Sequence, residues 1–213
     1  MTAAAGLGLA KQSAFAGSLT FNNFQYDTRA VVGRGVAINQ ESLVPLATQD
    51  VIVAAAESSV IRSVAGAVGV SFTTSGFGAG FDLGNVTRHA VATVGRGTAI
   101  RARRDVKIDA DDAETLRSVA VAVGVGAGGD AGAGSVSWWD VDSEARADAE
   151  AGTSAAAPGV TMAAGGGVFV TADGTFSGDQ VAGNVAVAAG GSAGGIGLVV
   201  LDHTDSVQAL VGD

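Results

Sequence analysis

An all-β fold, a right-handed parallel β-helix (β-solenoid) of about three modules of roughly 60 residues, is what this sequence predicts, on three observations. First, the chain repeats itself: Val32-Gly33-Arg34-Gly35-Val36-Ala37-Ile38 returns as Val94-Gly95-Arg96-Gly97-Thr98-Ala99-Ile100, 62 residues on. A long repeat at fixed period marks an array of similar units. Second, apolar and polar residues alternate in Val106-Lys107-Ile108-Asp109-Ala110, which turns one face of a strand to a core and the other to water. Third, 47% hydrophobic content with 33 Gly, 2 Pro and 5% aromatics suits strands of small and β-branched side chains joined by tight turns.

The repeat orders the elements along the chain. Asp50-Val51-Ile52-Val53-Ala54-Ala55 matches Asp105-Val106-Lys107-Ile108-Asp109-Ala110, and Arg62-Ser63-Val64-Ala65 matches Arg117-Ser118-Val119-Ala120, both 55 residues on. The seven-residue difference from the 62-residue shift is assigned to a longer loop around residues 41–49. A diverged third copy places Val168, Val170 and Ala172 at the positions of Val106, Ile108 and Ala110. The chain is one array over residues 1–213, with approximate modules 12–70, 71–132 and 133–213. Strands are expected at Val36-Ala37-Ile38, Val51-Ile52-Val53 and Val136-Ser137-Trp138. With Gly-rich or acidic turns between them, they predict about three coils of roughly 20 residues per module and a rod on the order of 45 Å long, at ~4.8 Å per coil.

One element is apolar on both faces. In Val119-Ala120-Val121-Ala122-Val123-Gly124-Val125 the valines line one side and the small residues the other, as in Val64-Ala65-Gly66-Ala67-Val68 and Val185-Ala186-Val187-Ala188. The valines are expected to form the inward ladder, so that Val121→Asp breaks it. The outer side, with Ala65, Ala67, Ala120, Ala122, Ala186 and Ala188, is then either covered by a neighbouring loop or sheet of the chain or is a flat face for self-association, because small side chains allow close sheet approach.

Charge and composition exclude several classes of function. The hydrophobic content excludes simple disorder. A net charge of −9, with 12 Lys and Arg scattered along the chain, makes nucleic acid a poor partner. No cysteine is present, so disulfides and thiolate metal sites are unavailable. Residues 1–11 lack a basic stretch ahead of their apolar run and do not read as a secretory signal. The uncharged residues 185–201 contain five glycines and read as two strands and a turn, with no membrane insertion.

Chemistry-bearing patterns are sparse. Gly124-Val125-Gly126-Ala127-Gly128-Gly129 meets the bare Gly-x-Gly-x-x-Gly spacing, but residues 130–136 read as turn and strand, not the helix that would hold a pyrophosphate. Asp109, Asp111, Asp112 and Glu114 form one acidic cluster and Asp140, Asp142 and Glu144 another. Neither has the glycine-punctuated spacing of a calcium loop, so both are expected to be solvated acidic turns. His89 and His203 occupy dissimilar module positions and are expected at surface or corner sites. No catalytic residue, metal site or cofactor is expected. The one coil with ligand-like chemistry carries Arg101, Arg103, Asp109 and Asp111, basic and acidic groups of the kind that polysaccharide-active β-helices array in a groove. Of the adjacent Trp138 and Trp139, one points inward and one outward. Trp139 is taken with the two arginines and two aspartates as a candidate ligand-binding group.

The module Ser118-Val119-Ala120-Val121-Ala122-Val123-Gly124-Val125-Gly126, then Ala133-Gly134-Ser135-Val136-Ser137, an acidic turn, and elements such as Thr28-Arg29-Ala30-Val31-Val32-Gly33 resembles the modular β-strand repeats of large bacterial surface proteins, including filamentous adhesins of the leukotoxin-like family. The resemblance implies a rod-like stalk at an extracellular bacterial surface, with no catalytic residues. The chain starts and stops in nearly the same repeat phase. That predicts a segment of a longer solenoid, or a subunit whose bottom coil pairs with the next copy's top coil. The expected function is therefore a structural segment of a surface fibre or adhesin stalk that associates end to end or laterally and meets a host or matrix glycan or protein receptor. The alternative is a glycan-active or glycan-binding module at residues 101–112.

Overall fold

The structure, a computed structural model, describes residues 1–39 and 48–212. It contains eleven strands and no helix among the described residues: β1 (Thr2–Ala10), β2 (Ala14–Val32), β3 (Ala37–Ile38), β4 (Val51–Ser71), β5 (Gly76–Val94), β6 (Ala99–Ala102), β7 (Val106–Gly126), β8 (Ala131–Ala149), β9 (Thr161–Ala164), β10 (Val168–Ala188) and β11 (Ala193–Val211). They form three sheets: sheet A in the order β1-β4-β7-β10, sheet B in the order β2-β5-β8-β11, and a short sheet C in the order β3-β6-β9. Every pairing within these sheets is parallel. The chain visits A, B and C in turn and returns one strand further along, a path compatible with a β-solenoid.

The sequence repeat is the strand register. Val32 pairs with Val94, Val51 with Val106 and Arg62 with Arg117, and Val106 with Val168. The seven extra residues of the 62-residue shift fall between Ile38, which pairs with Ile100, and Val51; the loop to which they are assigned lies mostly in residues 40–47, outside the described residues. The expected coil of about 20 residues is overturned. Strands of 19 and 21 residues fill sheets A and B, so one whole module makes a single pass through the three sheets. The stack is therefore four strands deep and about 14 Å between first and last strand, while each long strand runs for ~65 Å.

The corner between sheets B and C explains the repeated Gly-Arg-Gly. Gly35 and Gly97 adopt φ of 67° and 73°, a left-handed conformation that a Cβ would strain. They stack on one another: the Gly35 N–H donates to the Arg96 carbonyl at 3.1 Å. Beside them Glu150 accepts from the Arg96 N–H at 3.1 Å and from Arg34 Nε at 3.2 Å. These contacts hold its carboxyl below the usual range.

The interior changes character along the long strands. Near the turns between sheets A and B, the sheets approach until backbone meets backbone: a Cβ added at Gly124 would sit 2.1 Å from the Gly132 carbonyl oxygen, and one at Gly78 2.4 Å from that of Val123. In the covered strands only glycine, alanine and serine fit inward here, while the edge strand β10 places Asn184 in the row of Ala122. This reverses the expected ladder. Ala65, Ala67, Ala120 and Ala122 are 0–2% exposed, Ala186 and Ala188 lie half-buried on the same inward side, and the valines face out, Val121 with 38% exposure. At the far end the three sheets enclose a core of Val94, Ile100, Val106, Ile108, Ala110, Ala147 and Ala149.

The 124–129 glycine pattern is the end of β7 and a turn, and residues 185–201 are two strands and a turn, as expected.

Candidate functional site

Between the glycine zone and the three-sheet core, two polar layers cross the interior. In the first, Asp82 of β5 is fully buried. Its Oδ1 accepts from the hydroxyls of Thr20 and Ser63, and its Oδ2 from the Ser118 hydroxyl and from Trp139 Nε1 at 3.3 Å. Asn22 Nδ2 donates to Ser63 at 3.0 Å, and Ser118 shares a 2.6 Å bond with Ser137. The carboxylate thus takes donors from β2, β4, β7 and β8, and its desolvation is offset by hydrogen bonds alone.

The second layer is ionic. Arg88, fully buried on β5, pairs through Nη2 with Asp112 and through Nη1 with Glu114 at 3.2 Å, and donates to the Ala113 carbonyl at 3.1 Å. Glu57 lies beside them, accepting from Thr28 at 2.5 Å. One guanidinium therefore serves several carboxyls. Burial pushes the Asp112 carboxyl up, against the pull of Arg88 and with a further push from Glu57 and Asp205. Glu114 is pushed up by burial as well. His203 of β11, expected at the surface, instead turns inward and stacks on Phe176 with ring centres 4.1 Å apart.

The ionic layer escaped sequence reasoning for one reason. In Asp109-Ala110-Asp111-Asp112-Ala113-Glu114 the parity of carboxylates switches midway, so Asp109 and Asp111 face out while Asp112 and Glu114 face in. The expectation that the whole cluster is a solvated turn is thereby corrected; Asp140 and Asp142 are exposed, but on the outer face of strand β8 and not in a turn. An arginine at an inward position of β5 was the available signal, since the alternation fixes parity and a buried cation requires buried anions.

The candidate ligand residues are not gathered. Arg101 is exposed in β6 and Arg103 exposed at the corner after it, and neither enters an ion pair among the described residues; it is Arg104 that pairs with Asp50. Asp109 accepts from Thr171 across the outer face of sheet A. Asp111 is pushed up by burial and then by Asp109 and Asp173. Trp139 is 0% exposed, packed in the core with Ile61, Val86, Leu116 and Val141. It is Trp138, half-exposed, that faces outward. No cluster of three or more His, Asp or Glu placed to hold a metal ion occurs among the described residues.

What the molecule does present is an apolar band on both outer faces, beside the turns that join sheets A and B. On sheet A, row after row is apolar, from Ala3, Val64, Val119 and Val181 to Leu9, Val70, Val125 and Val187. On sheet B the band runs from the row Phe15, Phe77, Gly132, Gly194 to the row Phe21, Leu83, Trp138, Val200. The next rows are polar on both faces: Arg62, Arg117 and Asp179 on A, and Asn23, Asn85, Asp140 and Asp202 on B. Exposed apolar patches of this extent mark contact surfaces.

No protein-family model, no curated protein and no solved structure matches this chain.

Proposed function

We propose that this chain is a non-enzymatic structural segment: a right-handed parallel β-solenoid serving in a bacterial surface fibre or adhesin stalk and associating end to end. One observation carries the reading. At the β10 and β11 end of the stack the inward side chains have no covering layer: Val168, Val199, Leu201 and Val207 are 38–45% exposed, and each is an inward position of its strand by register with Val106, Ser137, Trp139 and Ala145. An uncapped core with open parallel edges is a surface onto which a further layer of the same register can pair. The interior supports the reading. It is filled by the chain's own side chains, and its buried charges are held within it, Arg88 by Asp112 and Glu114 and Asp82 by hydroxyls and the Trp139 N–H.

The experiment is negative-stain electron microscopy over a concentration series, with circular dichroism on the same samples. Rods longer than one chain are expected, and Leu201→Lys, which places a charge on the open end, should shorten them while the β spectrum persists. Single particles at every concentration would overturn end-to-end association. Polysaccharide turnover abolished by Asp109→Asn would overturn the non-enzymatic reading.

A further inference from the structure

We infer that the outer face of sheet B is a self-complementary interface that pairs two copies of this chain face to face, about a two-fold axis running parallel to the strands between β5 and β8. This rests on reading the chain as a self-associating structural element, but it uses a surface that end-to-end stacking leaves free.

The argument begins with glycines that the fold does not need. A Cβ at Gly194 would meet nothing within 4 Å, one at Gly134 only the Ile196 carbonyl oxygen at 4.0 Å, and one at Gly17 only that of Ala79 at 3.9 Å. None of them has a positive φ. Glycine inside a strand is destabilising where nothing requires it, and a close approach by another molecule is a reason to keep it. The two most exposed large side chains of the face stand in the same two rows: Phe15, 72% exposed, and Ile196, 78% exposed.

The proposed axis sets β2 of one copy over β11 of the other, and β5 over β8, each row facing its own row. Phe15 then meets Gly194, Ile196 meets Gly17, and Ala79 meets Gly134, since each pair shares a row. Large opposes small twice over, Ala79 over Gly134 adds a close approach of two small residues, and each contact occurs twice, as an isologous interface demands.

Charge agrees with shape. The outer face of β8 carries Asp140, Asp142, Glu144 and Asp148, the last paired with Arg146 of the same face, and the strand that would lie over it, β5, offers Asn85, Thr87, His89 and Thr93 in the carboxylate rows and Val91 in that of Arg146. No carboxylate faces a carboxylate, and His89 faces Glu144. Area suffices: four strands of 19 residues span about 1,200 Å² at ordinary strand spacing, against about 800 Å² per partner in a standard interface. On the outer face of sheet A, built mostly of valine and leucine, the glycines share one row, Ala5, Gly66, Val121 and Gly183, and a Cβ at Gly66 or Gly183 would already touch Val121 of the same chain.

The test is sedimentation velocity on the full chain over a concentration series. Wild type is expected to dimerise at micromolar concentration, with Gly194→Trp and, separately, Phe15→Ser each weakening the dimer at least tenfold at unchanged circular dichroism and thermal midpoint. Val185→Thr, on the outer face of sheet A, is expected to leave the dimer intact. Wild-type dimerisation unaltered by both sheet B substitutions would overturn the interface. A wild-type monomer that floats with phosphatidylcholine vesicles would assign the band to a lipid surface and overturn it too. Micrographs separate this from the fibre reading. If only the interface fails, long rods persist at single width; if only the fibre reading fails, paired particles remain but do not lengthen.

Discussion

Arg88 makes the central layer of the sandwich both necessary and sensitive. Its guanidinium is fully buried between Asp112 and Glu114, and removing one partner of a buried ion pair costs about 3–5 kcal/mol. Arg88→Ala is therefore expected to lower unfolding free energy by that order in urea titration, with part of the loss recovered on acidification as the abandoned carboxyls take up protons. The same groups set the pH dependence of the wild type. Asp112, Glu114 and Asp111 are raised, so the stability they contribute is complete below the ordinary carboxylate range and is lost as pH rises through their folded values. Asp50, held down by its Arg104 hydrogen bond, and Glu150 act oppositely, losing their contribution as pH falls through the lowered values. The thermal midpoint should accordingly rise from neutral pH towards the ordinary carboxylate range and fall again below it, and Glu114→Gln should flatten the rise. A midpoint that falls steadily from neutrality downwards would contradict the raised values.

At the scale of the strand, parity decides everything. In β7 the odd positions from Val119 onwards face out and the even ones face in. Val121→Asp is therefore expected to change stability by no more than about 0.5–1 kcal/mol. Ala120→Asp, one residue away at 0% exposure, should cost at least about 3 kcal/mol by burying an unpaired carboxylate. Parallel melting curves of the two variants measure this, and equal losses would refute the assignment of faces. Gly124→Ala tests the sheet separation: its Cβ would have to push the Gly132 peptide away, a strain of about 1–3 kcal/mol or more.

For the whole molecule, stability is shared between neighbours in the stack. β4, β5, β7 and β8 are paired on both sides, while β1, β2, β10 and β11 are edges. Hydrogen exchange should be slowest in β5, β7 and β8, and fastest in β1 and β11. An edge strand as protected as β7 in isolated single copies would contradict this order.

Repeat, alternation and composition were enough to determine an all-β array and its register, because Val32 to Val94 and Val106 to Val168 are sequence echoes that become strand neighbours. Periodicity also located the strands, but not how far each runs: the segments around Val51-Ile52-Val53 and Val64-Ala65-Gly66 look like separate short strands and are one strand of 21 residues. Which face of the valine and alanine strands turns inward is undetermined by a pattern apolar on both sides. The distance between sheets A and B decided it, since backbone contact at Gly78 and Gly124 excludes even a methyl group there and the neighbouring inward rows of the covered strands hold alanine and serine. The same spacing, widening along the strands, made space for Trp139, Asp82 and Arg88 inside. Whether an acidic residue is solvated or buried depends on that gap, a property of two sheets together that no single strand encodes.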